Sequence, residues 1–179
     1  MTRRQLIEKI SNLNTWKKGN QRAPHKPLLL LIALSNIHQN KDKLMLFSDI
    51  EKPFTKLLIE FGPQRKSYHP DAPFSRLPRD EIWELKNSQG VVDIEGRSFT
   101  QNSLKKDKIS GGFTKDIFDL IASNKGLIEE VASIILNSHW PQTVHQDILD
   151  AMGLDIDAAF QEGVTQNKKR KRDPTFRSV

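Results

Sequence analysis

The sequence predicts an α+β fold that is mainly helical, with a short β-hairpin and additional C-terminal helices. Three observations carry this expectation. The run Leu28-Leu29-Leu30-Leu31-Ile32-Ala33-Leu34 is apolar on most sides of a helix and opens at Pro27, a residue suited to a first turn whose N–H goes unused. Leu44-Met45-Leu46-Phe47 reads as a short strand, after which Phe54, Leu57, Leu58 and Phe61 recur at helical spacing. Ile82-Trp83-Glu84-Leu85 and Val91-Val92-Asp93-Ile94 alternate as half-buried strands about the turn Asn87-Ser88-Gln89-Gly90. A buried helix, a short strand, a second helix and a hairpin in that order predict a winged-helix-like DNA-binding core, with the hairpin as its wing.

The remaining elements follow in chain order. Leu6, Ile7, Ile10 and Leu13 predict an amphipathic helix over 3–14 that ends near Trp16, and Lys17-Lys18-Gly19-Asn20 reads as an exposed basic turn. The core helix is expected over 27–39. The next helix is expected to be capped by Ser48 or Asp49 and to stop at Gly62-Pro63. Trp83, on an alternating strand, is expected in the core. Three acid-rich helical patterns at 114–122, 125–137 and 143–151 read as scaffold. From Gly163 the chain turns polar and basic through Lys168-Lys169-Arg170-Lys171-Arg172, so 1–160 is expected as one domain and 161–179 as a basic linker.

Composition narrows the class. The chain has 179 residues, of which 36% are hydrophobic and 28% charged, enough for one domain with an adequate core. The longest apolar run falls far short of the roughly 20 residues that span a bilayer, and the amino terminus has no signal-peptide pattern. A cytoplasmic location is therefore expected. The absence of cysteine removes disulfides and thiolate metal sites.

Charge distribution says more than the net +6. Residues 1–27 hold seven Lys or Arg against one Glu, whereas residues 114–160 hold two Lys against eight acids. One face should attract polyanions and another repel them, as in an oriented nucleic-acid binder.

Two loops concentrate this character. Gln21-Arg22-Ala23-Pro24-His25-Lys26-Pro27 sets cations, an amide and a histidine on a proline-stiffened approach to the core helix. Ser67-Tyr68-His69-Pro70-Asp71-Ala72-Pro73-Phe74 presents an aromatic ring, prolines and a methyl group beside Arg65, Lys66 and Arg76. Together they predict a cationic lip around a small apolar depression. Arg65, Lys66, Arg76 and Arg79 read as phosphate contacts or solvated charges, Arg79 the first of them to read as a bystander, and Lys18 is a further candidate contact. Ser67 either bonds phosphate or shapes its turn, and His25 either contacts DNA or caps the core helix. Gln21, Lys26, Arg76 and Arg97 are unranked candidates for a base edge.

Catalysis finds no support. His25, His38, His69, His139 and His145 lack close metal-ligand pairing. There is no cysteine nucleophile, GxSxG motif or phosphate-binding glycine loop, and Glu129 and Glu130 occupy adjacent helix positions that face different ways. No metal or cofactor is expected.

The strings QRAPHKPLLLLIAL, YHPDAPFSRLPRDEIWEL and HWPQTVHQDILDAMGL, in this order, resemble the sulfur-binding domain of phosphorothioate-dependent HNH restriction endonucleases, the ScoMcrA-like group of type IV restriction enzymes. The resemblance spans residues 1 to about 160. It implies a reader of double-stranded DNA in which sulfur replaces one non-bridging phosphate oxygen, with the Rp configuration preferred. It also implies that RDPTFRSV at 172–179 leads toward an HNH nuclease absent from this chain, and it allows a homodimeric full-length enzyme. A site for sulfur should be apolar and shape-matched, because sulfur is larger, more polarisable and a poorer hydrogen-bond acceptor than oxygen. On the family's pattern Tyr68 and Ala72 form that surface and Arg22 supplies the charge. Proline directly follows the tyrosine in the pattern; here His69 stands between Tyr68 and Pro70, leaving either residue as the third wall. Two other readings remain: a reader of methylated bases, which needs an aromatic cage or a base-flipping pocket, and a protein-interaction module with a basic face.

Overall fold

Helix α2 (His25–His38) is the axis of the computed structural model, which describes residues 1–13, 23–154 and 156 together with the backbone of 17–18 and 21–22. Leu28, Leu29, Leu30, Leu31 and Leu34 are fully enclosed, as an all-round apolar helix requires. Around it pack α1 (Arg3–Ser11), α3 (Phe47–Phe61), α4 (Asp71–Arg76), α6 (Lys115–Ser123), α7 (Gly126–His139) and α8 (His145–Met152), and α5 (Gln101–Lys106) packs on α3. The Ser35 hydroxyl donates to the Met152 carbonyl at 2.8 Å and Gln39 donates to Gly153 O at 3.0 Å, which ties α2 to the end of α8. A helix with few polar atoms thus uses two of them to fix its partner.

The sheet is antiparallel in the order β3-β6-β4-β5, formed by Met45–Leu46, Ser110–Phe113, Trp83–Asn87 and Gly90–Val91. A separate two-stranded ribbon joins β1 (Lys17–Lys18) and β2 (Gln21–Arg22). Gly111 and Gly112 of β6 have close neighbours: a Cβ on Gly111 would lie 2.8 Å from both Phe74 and Trp83, and one on Gly112 would lie 2.2 Å from the Lys43 carbonyl. The missing side chains admit a relay of edge-to-face rings, Phe47 to Phe74 at 5.1 Å, Phe74 to Trp83 at 6.2 Å and Trp83 to Phe113 at 6.0 Å. Through Phe74 this relay anchors α4 to the sheet.

The mainly helical α+β class, the core position of Trp83 and the three C-terminal helices agree with expectation. Several details differ. Helix α1 stops at Ser11, closed at its start by a capping box between Thr2 and Gln5, and Trp16 lies outside the described residues. Helix α3 starts at Phe47, directly from β3 and without a side-chain cap, so neither Ser48 nor Asp49 is its N-cap. The expected wing does form a hairpin, pairing Lys86 with Val91 and Asn87 with Gly90. Yet β4 is an inner strand flanked by β6, and only two residues of the outer strand pair, so this sheet order does not establish a winged helix. The linker expected over 161–179 lies outside the described residues.

The largest difference concerns residues 70–77. Read as a proline-rich loop, this segment contains α4 and runs into a 3-10 turn, Leu77–Asp80. Pro70 is the N-cap and Pro73 sits in the first turn, where its missing N–H costs no helical bond. Pro70, Pro73, Phe74 and Leu77 are all buried and share one helical face. Ala72, Arg76 and Arg79 repeat at the same spacing on another face.

Candidate nucleic-acid interface

That second face of α4 and its following turn forms one wall of a cleft of about 830 Å³. The start of α2 contributes Ala23, His25 and Lys26; the 65–69 turn contributes Arg65 through His69; the loop after β5 contributes Ile94, Arg97, Ser98 and Phe99. Three separated stretches of chain meet here, the α2 start anchored by its buried leucines and α4 by Phe74.

The 65–69 turn is fixed by its own polar groups. The Tyr68 hydroxyl accepts the backbone N–H of Arg65 at 3.2 Å, and Ser67 Oγ lies 3.1 Å from His69 Nε2. Tyr68 is half-buried against the core, which leaves part of its ring for the cleft. On the loop after β5, Asp93 accepts from the Glu95 N–H at 2.9 Å, Arg97 N donates to Ile94 O at 3.0 Å, and Gly96 adopts φ +65°. A side chain at Gly96 would be strained in this left-handed conformation. The turn delivers Arg97 with its guanidinium carbon 4.8 Å from the centre of the Phe99 ring, a cation–π contact.

Charge in the cleft is one-sided. Lys26, Arg65, Lys66, Arg76, Arg79 and Arg97 line it, with Asp71 as the one carboxylate among its described lining residues. Arg65, Lys66, Arg76, Arg79 and Arg97 are exposed. Lys26 differs: its ammonium lies 2.6 Å from Asp80, and the two side chains are only 12% and 6% exposed. This cation binds the start of α2 to the 3-10 turn. His25 is held below the ordinary histidine value of 6.5, first by burial and then by the positive charge of Arg65. It is therefore neutral at pH 7 in the free protein. Concave surfaces lined by one sign of charge focus potential and draw polyanions inward.

Of the residues singled out from sequence, His25, Lys26, Arg65, Lys66, Ser67, Tyr68, His69, Ala72, Arg76 and Arg97 meet at this cleft. Arg79, expected as a bystander, lines it too. Pro70 does not: it is buried beneath α4, while His69 is exposed at the cleft. The side chains of Lys18, Gln21 and Arg22 lie outside the described residues. Ile94, Ser98 and Phe99 escaped sequence reasoning, although an aromatic two residues after an arginine in a glycine turn was a visible signal.

No group of three or more metal-ligating side chains occurs among the described residues, and none of their helices is long and apolar enough to cross a membrane. No curated protein matches the chain. Among solved structures, it is similar to the sulfur binding domain of SprMcrA complexed with phosphorothioated DNA, at 19% identity and a TM-score of 0.69, covering 86% of this chain and 95% of that one. It is similar also to the sulfur binding domain of ScoMcrA complexed with phosphorothioated DNA, at 21% identity and a TM-score of 0.70, covering 83% and 94%. A third likeness is to the type IV phosphorothioation-dependent restriction endonuclease ScoMcrA, at 22% identity and a TM-score of 0.68, where the match covers 83% of this chain and 32% of that one. The family model for the ScoMcrA-like DNA sulfur-binding domain matches residues 3–157, and the chain belongs to that family.

Proposed function

We propose that this chain binds double-stranded DNA carrying a phosphorothioate linkage, seating the sulfur against Tyr68 and Ala72 and thereby directing a linked HNH nuclease to modified DNA. The observation that carries this reading is the juxtaposition of a partly buried tyrosine and a methyl group with five exposed cations in one cleft. A phosphorothioate keeps the negative charge of the linkage while offering a soft, weakly hydrogen-bonding atom, so its best site combines apolar contact with nearby positive charge. An ordinary phosphate loses more hydration against the same apolar surface. Arg22 is assigned the guanidinium beside the sulfur, following the resemblance at that position. His69 is assigned the third wall in preference to Pro70, whose burial leaves it to support the turn. Arg65, Lys66, Arg76 and Arg79 serve the flanking phosphates, with Ser67 as a neutral donor. The Rp linkage is the preferred ligand, since only one non-bridging position can face the depression while the other faces solvent.

The cleft offers less to a methylated base, because Tyr68 and Phe99 are the two large aromatic side chains among its described lining residues and Phe99 already carries Arg97. A competition gel shift separates the readings. A labelled Rp phosphorothioate duplex should be displaced by its unlabelled copy and resist both the oxygen parent and a cytosine-methylated duplex. Displacement by methylated DNA at lower concentration than by the unlabelled sulfur duplex would reverse the assignment. The bound DNA should remain uncut in Mg²⁺, Mn²⁺ or Zn²⁺, and cleavage that survives rigorous purification would overturn the assignment of cutting to a linked nuclease.

A further inference from the structure

We propose that the consecutive carboxylates Asp80 and Glu81 are positioning residues for sulfur recognition, clamping both ends of the segment that carries Arg22 to the turn that closes the Ala72 wall. This rests on the phosphorothioate-binding reading of the cleft. Residues 12–24 join α1 to α2 and include the ribbon of β1 and β2, on which Arg22 stands. Among the described residues that ribbon pairs only with itself and is separate from the four-stranded sheet. A lone two-stranded ribbon is marginally stable, so its placement follows from what holds its two ends.

Both ends are held at one point. Before the segment, Lys9 in the last turn of α1 sets its ammonium 2.9 Å from the Glu81 carboxylate. After it, Lys26 in the first turn of α2 lies 2.6 Å from Asp80. The two acids close the 3-10 turn Leu77–Asp80, which continues α4 and is seated in the core by Leu77. Two lysines that bracket the ribbon in sequence therefore converge on the end of the wall that bears Ala72, Arg76 and Arg79. The backbone at this point is strained: Glu81 has φ +63° and ψ +24°, a left-handed conformation that glycine adopts freely and a residue with a Cβ rarely does. Glycine would close the turn with less strain; what glutamate adds is the bond to Lys9. The clamps differ in strength, since Lys26 and Asp80 are nearly buried whereas the Glu81 side chain is 77% exposed and its pair yields to salt. Holding the ribbon before the ligand arrives removes freedom that binding would otherwise freeze. A sulfur recognised by shape loses more from a misplaced guanidinium than an oxygen attracted by charge alone.

The experiment measures affinities of the whole chain for matched duplexes bearing Rp sulfur or oxygen at one linkage, across a salt series. Glu81→Gly relieves the backbone and deletes the weaker clamp. Its thermal melt should lie at or above that of the wild type, while the sulfur-to-oxygen affinity ratio should fall about threefold at low salt, the size an exposed pair supports. The two ratios should converge as salt screens the pair in the wild type. Asp80→Asn, measured below its melting transition, should lower the ratio about tenfold and keep it low at high salt. Lys9→Glu combined with Glu81→Lys, which re-forms the pair at unchanged net charge, should restore the ratio lost in Glu81→Gly. Because Glu81→Gly removes an acid, charge alone would tighten both duplexes by equal factors; that result, with the ratio at the wild-type value, would overturn the proposal whatever Asp80→Asn does. A wild-type ratio of one would instead sink the sulfur reading on which the proposal rests.

Discussion

The cleft and the C-terminal helices treat charge in opposite ways. On the helical side acids outnumber bases and two of them are paired: Glu130 with Arg3, and Asp119 with Lys115 at 2.6 Å across one turn of α6. In the cleft Arg65, Lys66, Arg76 and Arg79 project without an ion-pair partner among the described residues. Such crowding of like charge destabilises a free protein slightly and is relieved when phosphates arrive. Lys26 marks the boundary between the two regimes, since it lines the cleft yet belongs energetically to the scaffold through Asp80.

The largest effect should come from reversing the character of the cleft wall. Ala72→Glu sets a second carboxylate beside Asp71 where the linkage is proposed to sit, and binding of modified duplex should fall at least about 100-fold, close to 3 kcal/mol. Fluorescence anisotropy reads the loss, and an unchanged thermal melt confirms the fold. Retained affinity would remove Ala72 from the ligand surface.

Breaking the boundary pair should act on stability. Asp80→Ala removes the carboxylate 2.6 Å from a nearly buried ammonium and should cost about 3 kcal/mol in urea unfolding. Exchanging the two residues, Lys26→Asp with Asp80→Lys, should restore part of this. If Asp80→Ala is neutral in stability, the pair is not what joins α2 to the 3-10 turn.

A smaller contrast compares single charges on the two sides. Lys66→Ala should weaken modified and unmodified duplexes by similar factors and flatten the salt slope by about 0.9. Lys18→Ala is expected to do the same. Asp119→Asn changes net charge by the same amount in the opposite direction on the helical side, and it should shift affinity less than about twofold, since the Debye length at physiological salt is about 8 Å. Equal and opposite effects would mean that total charge, and not its placement, governs binding.

The smallest effect concerns pH. Because burial and Arg65 lower the His25 pKa below 6.5, the unfolded chain accepts a proton that the folded protein resists. The resulting contribution to stability is fully present above pH 6.5 and is lost as the pH falls from there through the lowered folded value. A bound phosphate favours the proton instead, so affinity should rise about twofold from about pH 7.5 to about pH 6. His25→Gln should flatten this dependence; a wild-type affinity that falls on acidification would place His25 away from the phosphate.

The parts of this molecule legible in sequence were those whose pattern has one physical meaning. An all-round apolar run such as Leu28–Leu34 can only be buried, and paired loop motifs rich in Pro, Tyr and Arg announced most of the cleft. Helix α4 was obscured because proline usually breaks helices, and only its placement at the N-cap and first turn makes Pro70 and Pro73 compatible with one. The periodic burial of Pro70, Pro73, Phe74 and Leu77 was the overlooked signal. Strand β6 was obscured for the opposite reason, since Ser110-Gly111-Gly112 has poor strand propensity and its glycines serve the close approach of Phe74, Trp83 and Lys43. The role of Lys26 depended on a partner 54 residues away, which no local pattern encodes.

The most direct test of the central claim is the affinity of the wild-type chain for three duplexes identical except at one linkage, bearing sulfur in the Rp configuration, sulfur in the Sp configuration, or oxygen. Anisotropy titrations at one fixed salt concentration should give the tightest binding for Rp sulfur. Tyr68→Ala should bring all three to the same weaker, salt-sensitive value, and Arg22→Ala should weaken sulfur and oxygen ligands alike, the sulfur more. Equal affinities of the wild-type chain for all three duplexes would contradict the account and leave the cleft a general binder of DNA phosphates.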